Sequence, residues 1–400
     1  MNITSPAAEQ RRLVHAVAAA SDKALAGIVA LFDSMTDRQE ADRLLDAVRP
    51  RLRRLRPPRP ITLPRLLFLP VQGVIAEARS WRRQDGGLPR SALVPIAEAV
   101  RLAMGAEAQA IEALLAGRNF ADLRTVDAAG RRLWQAAAAI APGLAQPPGW
   151  EAAGLAATDF RHAMIVAGGV WRHANPLWAA LLVARDGPPD ELVRDALVAA
   201  ATEDPMVPEA ILATLLLQAA RPGSVVAAAV AARMGAPVAD RVLDRWINGC
   251  SPDITVNDAQ GSARLAEAFA EAMDDLDACP AGRRPDRRQR IAGLRRDIGE
   301  ACRVAFVDGA RAGLLEPMAA SLAPPDDGAM SALEGTARAL KRLERAGRVL
   351  GGGAAYDLAL RQIADALGAT RAAPGSNPAD LARLAEILVG PEDALKLLDD

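Results

Sequence analysis

The residues of this sequence best suited to chemistry are three closely spaced aspartates, Asp274, Asp275 and Asp277, in the stretch "EAMDDLDACP". Carboxylate oxygens are preferred ligands of hard cations such as Mg²⁺. The same aspartates end a helical pattern, where acids oppose the helix dipole and favour a basic partner such as the arginines that follow at 283–296. An all-α enzyme with a metal at these aspartates is therefore an alternative, and the favoured interpretation predicts no metal site.

The aspartate run resembles the Mg²⁺-diphosphate motif of isoprenoid synthases, which would imply an all-α enzyme with a metal cofactor. Such a site needs a second motif, with Asn or Asp, Ser or Thr, and Glu at four-residue intervals. The segment "NDAQGSARLAE" at 257–267 departs from that register, and it precedes the aspartates instead of following them. This departure puts the enzyme interpretation in doubt, and we predict no cofactor.

Two histidines, His162 and His173, are eleven residues apart. On one helix this spacing puts them on the same face but roughly 16 Å apart along the axis, too far to share a metal ion. Asp159 lies one turn before His162 and could hydrogen-bond it, yet no nucleophile stands at a recognisable spacing from the pair. The sequence also contains no GxxxxGK[ST], GxSxG or HExxH motif. We therefore predict no catalytic residues.

Two arginine runs form the strongest local concentrations of positive charge. Each run could clamp phosphates or carboxylates if its side chains converge on one surface. On a helix the first run would spread around most of the circumference, so ion pairing within the chain is the competing interpretation. The candidate partner- or anion-binding residues are Arg49, Arg51, Arg53, Arg54, Arg56, Arg59, Arg65, Arg283, Arg284, Arg287 and Arg288.

An apolar stretch follows the first arginine run, in "PITLPRLLFLPVQGVI". Its prolines each remove a backbone donor, so we predict an ordered or partner-bound connector that is not a helix within the Arg/Pro-rich stretch 49–75. Exposing its large side chains together would be costly, at roughly 1.5 to 3 kcal/mol each, so something must cover them. The cover is either the chain's own helices or else a partner or the membrane interface, and in the second case the docking residues are Leu66, Leu67, Phe68 and Leu69.

Most of the remaining sequence has the pattern of short helices. Leucine and alanine recur at helical spacing, and prolines, glycines and aspartates separate segments of about eleven to fifteen residues. Several segments are apolar nearly all round and so need neighbours on more than one side. We predict an all-α fold of stacked helix pairs, similar in architecture to HEAT-like arrays. The expected subdomains are a helical one at 1–147 that contains the connector 49–75, one of stacked helix pairs at 148–325, and a C-terminal helical hairpin or bundle at 326–400.

The overall charge of the chain favours no particular class of partner. The 48 basic and 49 acidic residues leave a formal net charge of −1, so attraction to nucleic acid or an acidic membrane surface would have to be local. Only three of the basic residues are lysines, a skew that a GC-rich bacterial genome produces. Cys250, Cys279 and Cys302 form no CxxC pattern, as expected of free thiols.

These observations favour a non-catalytic protein that works through its surfaces. We expect a cytoplasmic helical scaffold or adaptor that binds other proteins, since the sequence has neither a secretory signal nor an apolar run long and clean enough to span a membrane. A protein that binds nucleic acid or an anionic surface through the arginine runs 49–65 and 283–296 is the first alternative. The metal-dependent enzyme is the second.

Overall fold

The computed structural model describes residues 24–25, 27–29, 60–77, 81, 87–187, 191–232, 234–255, 258–320, 324–372 and 376–399. Within these ranges the regular structure is almost entirely helical, which confirms the predicted all-α class. The exceptions are an isolated bridge between Pro60 and Asn119 and a short parallel pairing of β1 (Ile75–Ala76) with β2 (Leu88–Pro89). The HEAT-like stacking of helix pairs stays a prediction.

The chain divides into two compact units. The N-terminal unit comprises Met1–Leu182, Glu191–Leu217 and Ala232–Met234, and the C-terminal unit comprises Val183–Asp190, Gln218–Ala231 and Gly235–Asp400. Neither predicted boundary, near residue 147 or residue 325, coincides with this division. At each of those positions the helices on either side pack together: Leu123–Ile140 contacts Ala157–Arg172, and Ala259–Ala278 contacts Asp327–Leu350.

The N-terminal unit contains helices of 5 to 18 residues, with several 3₁₀ turns between them. Its described helices are α1 (Leu63–Leu67), α2 (Leu93–Met104), α3 (Ala106–Leu115), α4 (Leu123–Ile140), α5 (Ala157–Arg172), α6 (Ala174–Asp186, of which residues 174–182 belong to this unit), α7 (Glu191–Ala200) and α8 (Met206–Gln218, which belongs to this unit up to Leu217). Asp122 caps α4 by accepting a hydrogen bond from the Thr125 amide at 3.1 Å. The Asp159 carboxylate accepts one from the Ala156 amide at the start of α5.

The apolar connector lies in the core of the N-terminal unit. Leu66 and Leu67 are fully buried, and Phe68 and Leu69 are 4% and 6% exposed. The four predicted docking residues therefore leave no apolar surface for a partner, and their assignment as a docking site is wrong. Burial within the chain, the competing interpretation, removes the same side chains from water without a second protein.

The connector is also more helical than its prolines suggest. Pro64 occupies the first turn of α1, and Pro70 occupies the first turn of a 3₁₀ helix at Leu69–Val74. In a first turn the missing N–H would have had no intrahelical partner, so proline costs little there. The prediction that the connector contains no helix is therefore wrong for these two short elements.

Two tryptophans satisfy the last carbonyls of α1. Trp134 in α4 donates its Nε1–H to the Leu66 carbonyl, and Trp171 in α5 donates to the Leu67 carbonyl, both at 2.9 Å. Carbonyls at the end of a helix lack intrahelical partners, and burying them unpaired would be costly. These two hydrogen bonds allow the connector to lie in the core and fix α4 and α5 around it.

The C-terminal unit contains longer helices. They are α9 (Pro222–Ala231), α10 (Ala236–Gly249), α11 (Ala259–Ala278), α12 (Pro285–Ala310), α13 (Glu316–Ala320), α14 (Asp327–Leu350), α15 (Gly353–Thr370), α16 (Pro378–Leu388) and α17 (Pro391–Asp399). One π-helical turn, Arg311–Leu315, lies between α12 and α13.

Helices α11, α12 and α14 pack against one another and form the centre of the C-terminal unit. Tyr356 of α15 is fully buried there, with its ring 5.8 Å from that of Phe306. Burial raises the pKa of the Tyr356 hydroxyl above its usual range. Gly347 is required at the contact, because a Cβ atom there would overlap the Tyr356 ring.

Among the described residues, no helix combines the length and apolar character that a bilayer crossing requires.

Candidate functional site

The three aspartates of the predicted metal alternative do not converge. Asp274 and Asp277 both accept hydrogen bonds from Arg295 Nη2, at 2.7 and 2.8 Å. Asp275 turns towards α9 instead, where it accepts from the Ser224 amide at 3.0 Å and the Ser224 hydroxyl at 2.6 Å. A metal site needs its carboxylates around one point, and no group of three or more potential ligands in the described chain has that arrangement. These contacts favour ion pairs and hydrogen bonds within the chain for the three aspartates and lend the metal alternative no support.

Arg287, predicted to bind a partner or anion, is a buried structural residue. Its five N–H donors meet carboxylates and carbonyls of its own unit, at distances between 2.7 and 3.0 Å. The side chain is 1% exposed, and the acceptors are Asp240, Asp244 and the Ala281 carbonyl. Because a guanidinium carries five N–H donors, none is left for a ligand. The prediction is wrong for this residue.

The neighbouring arginines of the second run are only partly available to bind a partner or an anion. Arg284 pairs with Asp240 at 2.7 Å, and Arg283 donates its Nε–H to the Asp277 carbonyl at 2.8 Å. Arg288 is exposed. The acids of α10 and α11 thus neutralise much of this run, as the ion-pairing interpretation predicts.

The first arginine run is described at one position. Arg65 is exposed and donates to the Pro60 carbonyl at 2.8 Å. The other six lie outside the described residues: Arg49, Arg51, Arg53, Arg54, Arg56 and Arg59.

The two histidines lie in different surroundings. His162 is buried, and its ring lies 6.1 Å from the ring of Trp81. His173 ends α5 and lies 3.0 Å from a Glu203 oxygen. Asp159, the expected partner of His162, instead caps α5 at Ala156. Asp159 and the two histidines thus contact different groups.

A groove along the outer face of α5 is the candidate functional site. It has a volume of about 540 Å³, within the range of sites that hold organic ligands. Its apolar walls come from the turn after α4, from α5 and from the start of α8: Pro142, Leu144, Phe160, Met164, Ile165 and Val207. Its polar margin consists of Gln146, Arg161, Arg172 and Asp204. We call this feature the α5 groove.

Small residues on α5 bring the walls together. A Cβ atom at Gly168 would lie 3.0 Å from that of Ala141, and one at Gly169 would overlap Val207. Glycine therefore lets α5 approach both neighbouring segments. Phe160 is held edge-on against the buried ring of Trp150, with centroids 5.2 Å apart. The groove is thus built on fixed elements, and Ile165 is still 38% exposed within it.

One end of the α5 groove is internally neutralised. Arg172 Nε and Nη2 donate to the two oxygens of Glu203 at 3.1 and 2.6 Å, in a bidentate pair. The hydrogen bond from Arg172, aided by His173, lowers the pKa of Glu203 to about 2. The next residue, Asp204, accepts from the Met206 amide at the start of α8. This end therefore carries its own acids.

The other end of the α5 groove carries Arg161. This side chain is exposed, and within the part of the chain that the structure describes no carboxylate pairs with it. One turn away along α5 lie Ala157, Thr158, Met164 and Ile165, none of which is acidic. Among the described residues, the positive charge of Arg161 thus has no acidic partner and lies beside an apolar surface.

Sequence reasoning missed this site, although part of the pattern is visible in "RHAMIVAGGVWR". Arg161, Ile165, Gly168 and Arg172 recur at helical spacing and so share one face of α5. The pattern alone resembles an ordinary buried face. The walls from the α4 turn and from α8 are distant in sequence and become apparent only once the chain has folded.

Comparison of this chain with protein-family models, curated proteins and solved structures found no match. An apolar groove with a charged margin can bind an apolar group of a ligand and orient that ligand through an ion pair.

Proposed function

We propose that this protein is a non-catalytic helical adaptor that binds a short amphipathic segment of a partner protein in the α5 groove. The observation that carries the proposal is the partly exposed apolar wall at Ile165 and Met164, placed between charged groups on a rigid helix. Apolar anchors in a groove with a polar rim are the usual means by which helical proteins hold peptide segments. A HEAT-like stacking of helix pairs and a cytoplasmic location are parts of the same proposal.

The nucleic-acid alternative draws less support from the described chain. Arg287 and Arg284 are paired with Asp240 and Asp244, so the second arginine run lacks a row of free guanidinium groups. Binding to phosphates needs several such groups whose charge is not already neutralised.

The proposal is tested by peptide selection. A random twelve-residue phage-displayed library is selected on the purified full chain, and the consensus peptide is labelled with fluorescein for polarisation measurements. Wild type is compared with Ile165→Asp, which puts a charge on the groove wall. Leu102→Asp, at a position on α2 that is 70% exposed and outside the groove, is the matched control.

We expect Ile165→Asp to weaken binding by at least about tenfold, a loss of about 1.4 kcal/mol, because the anchor side chain would then face a carboxylate. Leu102→Asp should bind like wild type. Thermal unfolding of both variants controls for damage to the fold. If no peptide is selected, or if the selected peptides bind Ile165→Asp as tightly as wild type, the proposed function is overturned.

A further inference from the structure

We propose that the segment held in the α5 groove carries a carboxylate side chain that pairs with Arg161, an inference that rests on the proposed function. The partner is thus a protein segment with an acidic residue next to an apolar anchor. The geometry also gives the segment a direction, with its acidic end at Arg161.

The charge distribution along the α5 groove supports this chemistry. Arg161 and Arg172 are eleven residues apart on one helix, which places their backbones about 16 Å apart along the axis. The Arg172 end has its own acid in Glu203, and Asp204 follows in the chain. The Arg161 end has no acid paired with its guanidinium among the described residues. A carboxylate is therefore attracted to the Arg161 end and repelled from the other.

The spacing within the groove defines the motif. Ile165 lies four residues after Arg161, about 6 Å further along the helix axis. In an extended peptide, residues two apart point the same way and are about 6.6 Å apart. If an acidic residue of the peptide pairs with Arg161, the peptide residue two positions further on therefore lies against Ile165 and should be apolar. The peptide residue two positions beyond that lies near Gly168.

The expected strength is modest. An ion pair at an exposed rim contributes up to about 1 kcal/mol, which corresponds to about a fivefold change in affinity. The contribution also falls as salt screens the pair, whereas the apolar anchor does not depend on salt in this way. The acid therefore sets specificity and orientation, and the apolar wall supplies most of the affinity.

The experiment uses the consensus peptide from the wild-type selection and a second peptide in which each Asp or Glu is replaced by Asn or Gln. Both are titrated against wild type, Arg161→Gln and Arg161→Lys. Arg124→Gln, at an exposed position on α4 outside the groove, is the control. The four affinities from two proteins and two peptides form a double-mutant cycle, which isolates the contact between the acid and Arg161.

We expect acids to be enriched two positions from an apolar residue among peptides selected on wild type. The amide peptide should bind wild type about fivefold more weakly than the acidic peptide, and the two should bind Arg161→Gln equally. Arg161→Lys should keep part of the preference, because it keeps the charge but loses the bidentate geometry. Arg124→Gln should behave like wild type.

The outcomes separate this inference from the proposed function. Peptides that depend on Ile165 but show no preference for an acid, or whose preference survives Arg161→Gln, overturn the role of Arg161 and leave the adaptor proposal standing. A failure to select any peptide that depends on Ile165 overturns both.

Discussion

Replacing Asp244 by alanine tests whether the arginine run at the start of α12 is a structural ion-pair network. Arg287 is 1% exposed and donates to both Asp244 oxygens at 2.8 Å. The substitution removes two of its five acceptors, and each hydrogen bond to a charged group is worth about 1.5 to 3 kcal/mol. Asp240 still compensates the charge, through a 2.7 Å contact to Nη1. We therefore expect a loss of about 3 kcal/mol, at the lower end of the range for breaking a buried pair.

Hydrogen exchange measured by mass spectrometry is the appropriate assay, because it reports on α10 and α12 separately from the rest of the chain. A loss of about 3 kcal/mol should speed exchange of peptides from these helices on the order of 100-fold. The control is Glu300→Ala, also on α12, where the carboxylate is 59% exposed and pairs with Arg303 three residues away. That pair should contribute only about 0.2 to 0.5 kcal/mol.

If Asp244→Ala speeds exchange in α10 and α12 no more than Glu300→Ala does, the pair of Asp244 with Arg287 is not structural. Arg287 would then be solvated in the variant, and the arginine run would be free to bind anions. A large effect confined to these two helices supports the structural assignment.

Two further predictions concern the N-terminal unit. Folding lowers the pKa of Glu203 from its ordinary value of 4.5 to about 2. The ionised carboxylate therefore stabilises the fold fully above pH 4.5, and this stabilisation is lost as the pH falls from 4.5 towards 2. Thermal unfolding followed by tryptophan fluorescence should therefore show a smaller fall in Tm across this window in Glu203→Gln than in wild type; equal falls contradict the pairing. Trp134→Phe removes the donor to the Leu66 carbonyl and should cost about 2 kcal/mol in chemical unfolding, whereas a change below about 0.5 kcal/mol would mean that this carbonyl finds another partner.

Local patterns in the sequence were sufficient to predict the helical class. The spacing of leucine and alanine predicts α4, α5 and α14, because an amphipathic helix repeats its apolar face at fixed intervals. The connector was harder to predict because the effect of a proline depends on where it falls in an element. At Pro64 and Pro70 the residue begins a short helix, and at an interior position it would have broken one.

The roles of the charged residues could not be predicted from the sequence because their partners are remote. Arg287 meets Asp240 and Asp244, which lie 47 and 43 residues earlier on another helix. Arg295 neutralises two of the aspartates that suggested a metal site, and Ser224 of α9 orients the third. A charge run shows which groups are present, but the fold decides whether they face each other, a ligand or water.

The α5 groove was missed for the same reason. One wall is a single face of α5, but Leu144 and Val207 of the other walls are 63 residues apart in the chain and meet α5 only through packing. Their convergence follows from how α4 and α8 pack on α5, which local spacing does not encode.

Hydrogen exchange of the free and the peptide-saturated full chain would locate a selected peptide on the protein. If the peptide binds in the α5 groove, we expect new protection in the turn after α4, along α5 and at the start of α8, and loss of that protection in Ile165→Asp. Protection elsewhere in the chain, with these three segments unchanged, would contradict binding in this groove.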